Sequence, residues 1–257
     1  MNKKFRLLYL IFTLIFPSFL TFIYFVLLSG ESGNIQKLVY SLGKLFQFLL
    51  PVFFVFFLER QFAKNIDKLQ PNKNQNQITY NQLSSKLKFY YLCEGFLFGA
   101  VVFCVMFFLY YFCFSVLGGE LAVGSVTHKK IVGKIIELGL IDYRLFFLFG
   151  CFYAVIHSGL EEYYWRWFVF GKLREISGIR VAIIISGLGF AAHHVILLHT
   201  FFGFSSILCP LGSIAVAIGG IYWAWLYQRS NNLLGAWLGH GIIDAAIFLT
   251  GYIIYSA

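Results

Sequence analysis

The chain has 257 residues, of which 60% are hydrophobic, 21% aromatic and only 12% charged, with a formal net charge of +9. A soluble domain carries about 25% charged residues, so this composition excludes an ordinary water-soluble globule, a disordered chain and a disulfide scaffold. What remains is an all-α, polytopic transmembrane helix bundle, long enough for six to eight spans at roughly 20 apolar residues each.

Seven apolar segments follow one another along the chain. Residues 7–28 carry no charge and follow Lys3, Lys4 and Arg6. The run is too long for a signal peptide and lacks a small-residue cleavage site. Pro17 inside it is a potential kink. Residues 38–58 and 89–117 come next, the second long enough to tilt or to pass the membrane face. Residues 145–170, 181–202, 211–227 and 233–255 complete the set. Between them, Pro71–Gln82 is polar and Asn/Gln-rich, as expected of an exposed cytoplasmic loop. Ile131–Leu140 interrupts apolar residues with Lys134 and Glu137, the pattern of a short amphipathic helix at the outer interface. Residues 1–144 are expected to be scaffold helices and loops, and residues 145–257 a helical core that carries most of the ionisable residues within spans.

The basic residues orient this plan. With the N-terminus inside, 13 of the 20 Lys and Arg fall on inner segments. The outer side holds Lys37, Lys44, Lys129, Lys130, Lys134 and Arg144, while Arg166 lies within a span. The excess predicts a cytoplasmic N-terminus in a multi-pass protein of a prokaryotic plasma membrane. Basic residues dispersed between apolar runs fit lipid headgroups as partner, and no nucleic acid. Five cysteines, Cys93, Cys104, Cys113, Cys151 and Cys209, lie in or beside apolar stretches without ligand spacing. They read as buried small apolar residues.

Ionisable residues inside spans are costly and need a partner or a purpose. They are Glu94, His157, Glu161, Glu162, Arg166, His193, His194, His199, His240 and Asp244. Glu94 and His199 suit packing or headgroup-level positions. In Glu161-Glu162-Tyr163-Tyr164-Trp165-Arg166, helical spacing puts Glu162 and Arg166 on one face as a structural ion pair. Glu161 is rotated about 100° away, with His157 one turn earlier. It is expected to remain a free carboxylate, suited to act as a general base. Gly187, Gly189, Ala191 and Ala192 permit close helix packing around Phe190, His193 and His194. One of the two adjacent histidines is expected to face the site. His240 and Asp244 again share a face at i,i+4. Three helices thus present a base, an imidazole, and an imidazole with an acid beside it, the composition of a water-activating site.

In this order and on separate spans, the segments Glu161-Glu162…Arg166, Phe190…His194 and His240…Asp244 resemble the EExxxR, FxxxH and HxxxN/D pattern of the CPBP intramembrane peptidases. That family includes CAAX prenyl protease 2 and the Abi, or bacteriocin-processing and immunity, proteins. The resemblance covers about residues 146–255. It implies a glutamate-type endopeptidase acting on a membrane-associated peptide or protein. Glu161 would activate water and His194 would help to hold it. His240 and residue 244 would stabilise the oxyanion, with Glu162 and Arg166 in support. Asp244 departs from the Asn of CAAX-processing members; an ionised Asp would have to be protonated, orient His240 or bind a metal. Trp167-Phe168-Val169-Phe170 is bulkier than the usual continuation. His157 lies outside the motif and is expected to tune the base. No metal is favoured, since no HExxH device is present. If zinc were bound, its ligands would be Glu161, His194, His240 and Asp244. The alternatives are a non-proteolytic bacteriocin-immunity or scaffold protein of the same fold and an ion-coupled transporter. A transporter would call for inverted repeats or broken helices, and neither is present.

Overall fold

The computed structural model describes residues 3–29, 33–59, 85–117, 119 and 121–257. The polar Pro71–Gln82 loop lies outside the described residues. Among these residues the fold is a bundle of helices without strands. Helix α1 covers Lys3–Phe22 and continues through wider π-helical turns to Leu27. Helix α2 covers Gly33–Phe53 and widens in the same way over Phe54–Glu59. Helix α3 is Ser85–Leu117, α4 Val126–Glu137 and α5 Tyr143–Ser177. Helices α6, α7 and α8 are Ile179–Phe202, Leu208–Ser230 and Leu234–Ser256.

All of these but α4 are long and apolar enough to cross a membrane, which makes the seven spans expected from the sequence. Their outer surfaces are covered with exposed Phe, Leu, Ile and Val. Lipid tolerates such surfaces because each helix satisfies its own backbone groups. Pro17 stays within α1, where the Thr21 hydroxyl donates to its carbonyl at 2.8 Å. The amphipathic α4 starts five residues earlier than anticipated. Its Ser125 cap accepts from the His128 N–H, satisfying an orphan donor of the first turn.

Polar contacts at the helix ends sort the loops onto two faces. On one, Arg6 pairs with Glu175 at 2.7 Å, Arg174 donates to Gln228, and Arg229 pairs with Glu94 at 2.8 Å. On the other, Lys37 donates to the Glu137 carbonyl and Lys130 to the Thr200 carbonyl. The loops thus alternate between two faces, and Glu94 has its partner on the face that holds Arg6. Lys44 departs from this alternation. Its side chain is only 12% exposed and lies inside the α2 span, not in an outer loop.

Glycine sets the closest helix approaches. A Cβ on Gly95 of α3 would overlap the Gly235 carbonyl of α8, and one on Gly187 of α6 would collide with Ile221 and Gly220 of α7. Helix α5 runs through the middle, and Tyr164, Trp165, Phe168, Val169 and Phe170 are completely buried. The bulky residues after the first motif therefore fill the core, except for Trp167, which is 40% exposed. Cys93, Cys104 and Cys151 face outward, contrary to the expectation of burial, and Cys209 is buried. Lipid is as apolar as a protein core, so an apolar side chain has little reason to prefer the interior.

Candidate active site

Glu161 and Glu162 occupy a short α-helical turn, Ser158–Glu162, between π-helical stretches Phe152–His157 and Tyr163–Phe170 of α5. Such widened turns recur at functional sites because they re-aim side chains. Both carboxylates are buried, at 2% and 0% exposure.

The two glutamates divide as helical spacing predicts. Glu162 faces Arg166, with Oε2 3.0 Å from Nε. The Arg166 guanidinium lies over the rings of Phe190 and Trp223, 4.7 and 5.3 Å from their centroids. These two cation–π contacts compensate part of its lost hydration. The other oxygen of Glu162 accepts a hydrogen bond from His240 Nδ1 at 2.8 Å. The His240 ring also stacks on Trp223, at 4.6 Å and 18°.

Glu161 was expected to be free and is not. Lys44 Nζ from α2 is 3.2 Å from Oε1, and the Nε2 atoms of His193 and His157 are 3.6 and 3.7 Å from the same oxygen. Oε2 lies 3.9 Å from His240 Nε2. That nitrogen is also 3.7 Å from Asp244 Oδ1, so Asp244 flanks the imidazole.

Both histidines of the adjacent pair reach Glu161. Ligand atoms of Glu161, His193 and His194 all lie within 4.8 Å of one another. His194 Nδ1 is 2.9 Å from the Phe190 carbonyl, so that nitrogen carries the hydrogen and Nε2 is the acceptor. His193 lies parallel to Trp165 with centroids 5.9 Å apart. The geometry thus gathers Glu161, Glu162, Arg166, His157, His194, His240 and Asp244, and adds His193 and Lys44. His193 was visible as the neighbour of His194. Lys44 carried one signal, a charge inside an apolar run.

These helices are the ones that carry the family likeness. Residues 143–246 match the model of the Rce1-like family, described as type II CAAX prenyl endopeptidase Rce1-like. No curated protein and no solved structure matches the chain. The Rce1-like segment begins at the first residue of α5 and ends inside α8, so it contains all three motifs. Lys44 lies outside it, 117 positions before Glu161 of its first motif. The match accords with the resemblance drawn from Glu161, His194 and His240.

Proposed function

We propose that the protein is an integral-membrane endopeptidase that hydrolyses a peptide bond with water activated by Glu161. The observation that carries this reading is the buried Glu161 carboxylate, ringed by imidazoles from α5, α6 and α8. Water held between Glu161 and His194 Nε2 loses its proton to the glutamate as its oxygen attacks the carbonyl carbon. The doubly protonated form of His240, with Nδ1–H held by Glu162 and Nε2–H on the side that Asp244 flanks, donates from Nε2 to the oxyanion. Glu161 then returns the proton to the departing amine as the C–N bond breaks. Glu162, Arg166 and His157 support this arrangement without touching substrate. Residues 145–257 form the catalytic core, to which α2 adds Lys44.

The substrate class that fits a bilayer-embedded site is a membrane-associated peptide of the CAAX type. The charge asymmetry favours a cytoplasmic N-terminus in a prokaryotic plasma membrane. Glu161, His193 and His194 offer N and O donors suited to zinc, which would supply Lewis-acid chemistry when bound. The Lys44 ammonium, 3.2 Å from Oε1 of the same carboxylate, already supplies a positive charge there and would repel a second cation. We therefore favour hydrolysis without a metal.

The test is cleavage of prenylated and unprenylated CAAX-type peptides by the purified protein in proteoliposomes. Wild-type protein should cleave and Glu161→Gln should not, while accumulating in membranes. Equal cleavage by Glu161→Gln removes the base and overturns the reading.

A further inference from the structure

We propose that Lys44 is a positioning residue that anchors Glu161 by Oε1 and leaves Oε2 as the oxygen that takes the proton from water. This rests on the reading of Glu161 as the base.

The two oxygens of Glu161 have different surroundings. Oε1 meets Lys44 at 3.2 Å, His193 at 3.6 Å and His157 at 3.7 Å. Oε2 meets His240 Nε2 at 3.9 Å, on the side where Asp244 flanks the imidazole. One oxygen is held from three helices, α2, α5 and α6. The other faces the third motif.

Helix α2 is built to deliver this charge. Tyr40, Lys44 and Phe48 follow at intervals of four and share a face. The Lys44 ammonium is 5.8 Å from the Tyr40 ring centroid and 5.6 Å from that of Phe48. Phe48 in turn packs edge-on against His157. A lysine in a membrane span is expensive unless it is paired, and the partner here is the base itself. An ammonium is a compact point charge, whereas a guanidinium fork would engage both carboxylate oxygens. Lysine therefore fixes one oxygen and spares the other.

The experiment compares wild type with Lys44→Gln and Lys44→Ala in proteoliposomes. Both variants should lose kcat on the order of 100-fold while KM stays within about threefold, as for a group that acts only through the base. Propylamine, a small replacement for the missing ammonium, should restore at least about tenfold of the kcat lost in Lys44→Ala and leave wild type unchanged. A kcat within threefold of wild type, or no gain with propylamine, assigns Lys44 to packing and overturns the proposal.

Thermal unfolding of Lys44→Gln, Glu161→Gln and the double variant reads the pair without any cleavage assay. Coupling supports the anchoring, and additivity refutes it. If wild type cleaves nothing, the peptidase reading falls, and this cycle alone decides whether Lys44 holds Glu161.

Discussion

His240 donates from Nδ1 to Glu162 across 2.8 Å, so the third motif is held by the glutamate next to Glu161. Glu162 also faces Arg166 with its second oxygen. One carboxylate therefore joins α8 to α5, and the Arg166 stack on Phe190 and Trp223 extends that junction to α6 and α7.

Loss of this junction should be felt as stability. Glu162→Ala leaves a buried guanidinium uncompensated, and breaking such a pair costs about 3–5 kcal/mol. A clear fall in the melting temperature of the detergent-solubilised protein is expected, together with loss of cleavage. Glu161→Gln should fall less, because the amide oxygen still accepts from Lys44, which is 12% exposed, whereas Arg166 is fully buried. Equal thermal losses in the two variants would contradict the division of roles.

The adjacent histidines should separate kinetically. His194→Ala removes an acceptor proposed to hold the water and should reduce kcat on the order of 100-fold or more. His193→Ala removes a ring packed on Trp165 and a contact to the anchored oxygen Oε1. A loss of roughly tenfold is expected there, with a lower melting temperature. A larger kinetic loss at His193 than at His194 would reverse the assignment.

Chelation addresses the metal. Activity is expected to survive prolonged treatment with 1,10-phenanthroline or EDTA. Excess zinc should inhibit reversibly, since Glu161, His193 and His194 converge closely enough to capture it. Activity lost to chelator and restored by zinc would instead make those residues ligands.

Helix packing supplies a control far from the chemistry. Gly95→Leu places a side chain against the backbone of Gly235, where even a Cβ overlaps the carbonyl. Overpacking costs typically 1–3 kcal/mol where a core can shift, and more is expected against backbone. The variant should fail to accumulate in membranes, as judged by immunoblot, while Gly133→Leu on α4, with open space around it, should accumulate normally.

The spans were legible because a charge-free run of twenty residues has few alternatives in water. The local carboxylate pairings were legible too. Glu162 with Arg166, and Glu161 with His157, depend only on the geometry of one helix. The sorting of loops onto two faces followed from the succession of seven spans. What failed was any statement about which helix faces meet. Lys44 was placed in an outer loop, Glu161 was expected to be free, and His193 was passed over in favour of His194.

The physical reason is the solvent. In water an amphipathic stripe marks the buried face of a helix, but lipid is as apolar as the interior, so no stripe is required. Helices α3, α6 and α7 carry no apolar stripe, so hydrophobicity does not say which side turns inward, and only isolated polar residues such as His194 in α6 give a hint. The sequence by itself determined seven spans, their alternation and the contacts within a single helix. Only the tertiary structure decided that α2 turns Lys44 onto Glu161, and that His240 reaches Glu162 with one nitrogen and faces Glu161 with the other.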